Sequence, residues 1–258
     1  MHVLAGFALC LLLSTLHAKA DNAPTLAVID FFPFGYRDQS GTPKGMFFDM
    51  TEAIANDSGI KIDARLMPVP RALRDASNGQ VDMLISYKDP LMVPNVVFIG
   101  NVGCLTANVI PARNSDIKSM EDLSNRRIGT ISGGYFQKRF RDKIAYQEVS
   151  VPSNQAMLKM LVRQRLDGFV INSAVYDAFY FFESPVDLPK NWRDHVAEPI
   201  RIDILETHLS IAMNSPALEQ ASKITTSINR LRQNGTMADI FARYGSRDRG
   251  NCIPAEFR

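Results

Sequence analysis

From Thr25 onward the apolar positions fall into short continuous or alternating runs and longer stretches at helical spacing. TLAVIDF (25–31) is a β-branched apolar run and reads as a strand. FFPFGYRDQSGTPKG (31–45) follows, and its Asp38, Ser40, Gly41 and Pro43 mark a loop. Phe48 to Asn56 carries apolar residues at helical spacing and is closed by Gly59. IKIDARL (60–66) alternates like a strand. VPRALRDASNG (69–79) predicts a helix, with Pro70 in its first turn and Gly79 just past its end, and VDMLIS (81–86) predicts another strand. A long β-prone stretch runs from Val96 to Ile110. The alternation then restarts, with strand RRIGTIS, helix FQKRFRDKI, strand QEVSV, helix NQAMLKMLVRQ, strand DGFVI and helix AVYDAFYFF. Strand HLSIAM (208–213), an amphipathic helix from Pro216 to Gln233, an NGT break and a last helix MADIFARYG complete the chain.

Strands alternating with helices argue for an α/β fold with parallel sheet. Two copies of the pattern, joined by β-prone segments, suggest two lobes, each with strand C-termini of the kind that hold ligands. The 46% apolar and 22% charged content of the 258 residues is that of an ordinary globular protein with ample core. A formal net charge of only +2, with no basic block, argues against nucleic acid as a partner.

The first residues have another character. VLAGFALCLLLSTL is a 14-residue apolar run, short of the roughly 18 residues a membrane span needs. AKA at 18–20 supplies small residues for a cleavage site. Residues 1–20 read as a secretory signal peptide cut before Asp21, although no Lys or Arg precedes the apolar run; an uncleaved anchor is the alternative. Cleavage would remove Cys10 and leave Cys104 and Cys252. In an oxidising compartment that pair suggests one disulfide, against the alternative of two separate thiols.

The stretch IGTISGGYFQKRF (128–140) is the most suggestive turn. A strand-to-helix turn leaves the first helical N–H groups unpaired, their partial positive charge attracts an anion, and glycines permit close approach. A phosphate loop is excluded because no Gly-Lys-Ser/Thr follows, and G-x-G-x-x-G is missing as well, so no nucleotide cofactor is indicated. A turn serving only the chain's own path stays open at this point.

Five blocks, in order, resemble the bacterial extracellular solute-binding proteins of the amino-acid type, family 3. They are residues 31–55 with the aromatic-Pro-Phe turn, GQVDMLIS (79–86), NRRIGTISGG (125–134), 157–179, and 209–245 with its NGT break. The resemblance implies a type II periplasmic-binding-protein fold, two α/β lobes joined by a two-segment hinge that close on a small-molecule ligand. Mapped here, lobe 1 is 21–103 with 208–258 and lobe 2 is 104–207, so Cys104 sits at a hinge where a disulfide would pin the tail. A monomer in the periplasm, serving an ABC permease or a membrane sensor, is the implied setting.

The resemblance also implies a site. Phe31 and Phe34 of the first loop would offer aromatic faces to the ligand. Ser86, Tyr87 and Lys88 stand where family members offer backbone groups and a hydroxyl. About six residues further on the family places an arginine that clamps a carboxylate, but DPLMVPNVVF (89–98) contains none. Lys88 or Arg71 would have to supply the charge. Ser132, Gly134 and Tyr135 of the glycine turn would bind a polar or anionic group, and the family's acidic residue falls on Asn172. With both charged anchors altered, the implied ligand is amino-acid-like or a derivative, not a standard free α-amino acid.

The competing class is an enzyme on the same fold, such as a dehydratase of a cyclic carboxylic acid. After cleavage only His195 and His208 remain, neither in a metal-binding motif, and no G-x-S-x-G elbow occurs. Glu206 and His208, near the second lobe crossing, are the acid–base candidates for that reading.

Overall fold

The computed structural model describes residues 23–91, 93–132, 145–181 and 187–252. The apolar run Leu26–Val28 becomes the buried centre of β1 (Thr25–Ile29). Its lack of polar alternation fits a strand covered on both faces. Short strands β2 (Tyr36–Arg37) and β3 (Pro43–Lys44) pair within the first loop. Helix α1 (Met46–Ser58) buries Met46, Phe47, Met50 and Ile54 as one stripe. It ends at Gly59, which takes the left-handed conformation at φ 66°. β4 (Asp63–Met67), α2 (Val69–Ser77) and β5 (Met83–Tyr87) complete a parallel unit in which β1 lies between β4 and β5.

The second parallel unit comprises β7 (Arg127–Ile131), β8 (Gln147–Val151), α3 (Asn154–Val162), β9 (Gly168–Asn172) and α4 (Ser173–Phe181). The Ser153 hydroxyl accepts from the Ala156 N–H at 3.2 Å and caps α3. Two long strands join the units. β6 (Val96–Pro111) and β10 (Ile200–Ala212) run antiparallel along most of their length. The lower part of β10 pairs with β5, and the upper part of β6 pairs with β9. Among the described residues one sheet of eight strands results, in the order β4-β1-β5-β10-β6-β9-β7-β8. Helices α5 (Ala221–Gln233) and α6 (Thr236–Arg243) return to the first unit, where α5 packs on α1 and β6. The molecule therefore consists of two α/β lobes joined by two strands. No helix among the described residues is long and apolar enough to cross a membrane.

The hinge strands carry particular features. Gly103 lies opposite Thr207 and Cys104 opposite Glu206, with a register shift between Thr207 and His208. Cys104 and Cys252 form a disulfide with Cα atoms 5.0 Å apart, across a sequence separation of 148. The Cys104 N–H also donates to the Gly250 carbonyl at 2.8 Å. Phe241 fills the space between strand and tail: a Cβ at Gly103 (φ +153°) or at Gly250 (φ +70°) would collide with its ring.

Two elements differ from expectation. β10 starts at Ile200 rather than at His208, because its first half alternates isoleucine with charged residues (IRIDI) and is only half-buried on both faces. The helix expected from Pro216 is a 3-10 turn over Pro216–Gln220 before α5 begins at Ala221. The expected helix FQKRFRDKI lies outside the described residues.

Candidate functional site

Parallel strands within a lobe place their C-terminal ends on one edge, and ligands of α/β folds bind at such edges. In the first lobe this edge carries Asp30 and Phe31 after β1, Arg71 in the first turn of α2 after β4, and Ser86, Tyr87 and Lys88 at the end of β5. In the second lobe it carries Ser132 after β7 and Asn172 at the end of β9. Gly134 and Tyr135 lie outside the described residues.

Among the described residues, one side-chain hydrogen bond joins the two edges. The Asn172 amide Nδ2 donates to the Tyr87 hydroxyl at 3.0 Å, across 85 residues of sequence. Asn172 is 4% exposed. Its Oδ1 accepts from the Val175 N–H at 2.9 Å and so caps α4. One side chain thus anchors a helix in its own lobe and bonds the other lobe. Nearby, the Ser173 hydroxyl accepts from the Thr106 N–H at 3.1 Å, and the rings of Phe32 and Phe179 stack at 6.2 Å.

The cations expected at the edge have carboxylate partners. Lys88 Nζ lies 3.6 Å from Glu206 Oε2, with both side chains about half exposed. Arg71 Nε donates to Asp75 Oδ2 at 3.0 Å, and Asp75 also takes two bonds from Arg74. Glu206 further accepts from His208 Nε2 at 3.0 Å. A carboxylate offers no proton, so Nε2 carries the hydrogen and the buried Nδ1 is a lone pair without a hydrogen-bond partner among the described residues. Burial pushes the His208 pKa down against the pull of Glu206, and the bond from His208, with Lys88 beside it, draws the Glu206 carboxyl below its ordinary range despite its partial burial. Asp30 is exposed and its carboxylate has no partner among the described residues.

The remaining expected residues divide by burial. Phe34 is 3% exposed and stacks on Phe47 at 4.7 Å, which makes it a core residue beneath the loop. Phe31 is half-buried, parallel to Phe34 with ring centres 6.4 Å apart, and nearer the surface. Ser86 is buried, its hydroxyl turned to the Tyr87 carbonyl at 3.2 Å. Ser132 is exposed and accepts from the Ser150 hydroxyl at 2.9 Å. Glu206 as the partner of Lys88, and the Tyr87–Asn172 bond, were not legible in the sequence, since no local pattern reports a contact between distant strands.

Two α/β lobes, two crossing strands and a polar contact between strand ends define a two-lobed binding protein. The chain belongs to the bacterial extracellular solute-binding proteins, family 3, whose model matches residues 26–247. It is 24% identical over 242 residues to a probable histidine-binding protein of Neisseria gonorrhoeae, covering 86% of this chain and 82% of that one. It is 20% identical over 223 residues to the probable amino-acid-binding protein YxeM of Bacillus subtilis (strain 168), covering 84% and 81%. Among solved structures, the GluR0 ligand-binding core in complex with L-glutamate superposes with a TM-score of 0.70 at 14% identity, over 88% of this chain and 99% of that one. At that identity the likeness speaks for the fold.

Proposed function

We propose that this protein captures a small polar or anionic metabolite, amino-acid-like or a derivative of an amino acid, between its lobes. In this reading lobe 1 is 21–103 with 208–258, lobe 2 is 104–207, and closure brings Tyr87 to Asn172. The bond between those two residues carries the reading, because it joins the ligand-binding edges of both lobes in one contact. Phe31 supplies an aromatic wall, Lys88 the positive charge, and the glycine turn with Ser132, Gly134 and Tyr135 the backbone donors. The protein is exported after cleavage of residues 1–20, works as a periplasmic monomer, and delivers its solute to an ABC permease or a membrane sensor.

A thermal-shift screen of amino acids, their deaminated and acylated derivatives, and small dicarboxylates tests the proposal. A ligand at 100 times its Kd stabilises by about 2.7 kcal/mol. Lys88→Gln should weaken the best hit roughly tenfold without lowering the melting temperature of the free protein. No stabilisation across the panel, or equal affinity in the variant, would remove the assignment.

The Lys88–Glu206–His208 cluster favours a second reading, a dehydratase of a cyclic carboxylic acid with Glu206 and His208 as acid and base. Recovery of the bound solute unchanged after long incubation decides against it; loss of water from a cyclic acid, abolished by Glu206→Gln, decides for it.

A further inference from the structure

One to two turns along α4 from Asn172, a separate cavity of about 410 Å³ opens between that helix, the residues leading into β10 and the tail. Its volume falls within the roughly 300–1,000 Å³ of small-molecule sites. Charged groups reach it from three chain segments, and each keeps unused bonding capacity. Arg113 donates from Nε to the Asp194 carbonyl at 2.7 Å and from Nη2 to the Arg193 carbonyl at 3.2 Å, which orients the guanidinium and leaves Nη1 without a partner among the described residues. Arg247 donates from Nε to the buried Asp177 at 2.9 Å, and its two outer nitrogens bond nothing else described. Glu198 is exposed and has no partner among the described residues.

The fourth segment is aromatic. Tyr180 and Phe181 of α4 line the cavity, and Phe181 is 60% exposed, so its ring is open to a solute. The Arg247 guanidinium sits over that ring at 5.6 Å. Tyr176 lies beneath, its hydroxyl 3.5 Å from that of Tyr180. We propose that this cavity is a second solute site, which takes a small zwitterion with an aromatic or bulky apolar body. The carboxylate meets Arg113 and Arg247, the ammonium meets Glu198, and the body lies against Tyr180 and Phe181. The proposal does not rest on the reading of the cleft.

The cavity has its own reporter. Trp192 is the only tryptophan of the chain. It packs edge-on against Tyr180 at 4.7 Å and Tyr176 at 6.0 Å. Titration with L-phenylalanine should therefore change the Trp192 emission saturably, with a Kd at or below about 1 mM. 3-Phenylpropionate, which lacks the ammonium, should bind at least about threefold more weakly. Glu198→Gln, at an exposed and unpaired position, should abolish that difference, and Arg113→Lys, which keeps the charge but loses the fork, should weaken both probes roughly tenfold. No saturable change up to about 10 mM probe overturns the proposal. So does a change that survives unaltered in both variants, and if Arg113→Lys does not fold, the Glu198→Gln titration decides alone.

Discussion

Replacing Tyr87 by phenylalanine removes one hydroxyl from the seam between the lobes and little else. The ring keeps its place at the end of β5, so packing is preserved. Among the described residues, the bond lost is the 3.0 Å contact from Asn172 Nδ2. A neutral hydrogen bond of this kind contributes about 0.5–1.5 kcal/mol net, and a buried donor stripped of its acceptor costs somewhat more. Asn172 is buried, so in the joined state its amide loses an acceptor that water cannot readily replace. When the lobes part, water solvates it. The penalty therefore falls on the closed arrangement alone and amounts to about 1–2 kcal/mol, a roughly 5- to 30-fold loss in the closed-to-open ratio. Dyes placed one on each lobe, read by single-molecule energy transfer, give that ratio directly, and small-angle scattering gives the matching change in radius. Asn172→Ala loses the same bond together with the cap on α4, a further cost of about 1 kcal/mol that appears in global stability. The double variant should show a coupling of about 1 kcal/mol between the two positions. A closed fraction unchanged by Tyr87→Phe, or a coupling below about 0.3 kcal/mol, would show that the contact does not hold the lobes together.

The other expectations concern the hinge. Reduction of Cys104–Cys252, or the double serine variant, should destabilise the protein by about 3–5 kcal/mol in denaturant, since the bond closes a loop with a sequence separation of 148; an unchanged midpoint would mean that the remaining tail contacts suffice. His208 has a folded pKa below its ordinary value of 6.5, so its contribution is present above that pH and is lost as pH falls from 6.5 through the folded pKa. Between those limits the wild type should lose stability and His208→Asn should not, with Glu206, Lys88 and Arg232 as the charged groups that act on the ring; parallel pH profiles of the two proteins would refute this.

The parts of the fold that were legible in the sequence are those where burial and periodicity agree. The buried run of β1, the apolar stripe of α1 ending at Gly59, and the long β-prone stretch of β6 each report their environment locally. The first half of β10 does not. Its isoleucines alternate with Arg201 and Asp203, and the strand is fixed by its ladder to β6 rather than by a covered face. The same distinction governs the site. Family blocks located the strand ends on which the proposed site residues Tyr87, Lys88 and Asn172 stand, but the partner of each side chain depends on which distant strand lies beside it. Phe34 illustrates the converse: it stands in a motif that the resemblance assigns to ligand binding, and its ring folds inward onto Phe47.

The pairing of Lys88 with Glu206 bears on how a carboxylate could be held where the family's arginine is missing. The two groups are 3.6 Å apart and about half exposed, a setting in which an ion pair contributes only about 0–1 kcal/mol. Exchanging Glu206 for a ligand carboxylate at Lys88 is therefore inexpensive. Glu206 need not be left uncompensated by the exchange, because the bond from His208 Nε2 remains. Arg71 stands differently, since its partner Asp75 is nearly buried and is held by Arg74 as well. A solute that pulled Arg71 away would take one of two cations from a buried carboxylate, whose burial opposes its charge. Of the two cations at the edge, Lys88 is the one that can change partners at low cost, and the single-point contact of its ammonium sets a looser geometric demand than a guanidinium fork. If Lys88 anchors the solute as proposed, selection would fall mainly on the proposed aromatic wall of Phe31 and on the other polar groups of the cleft.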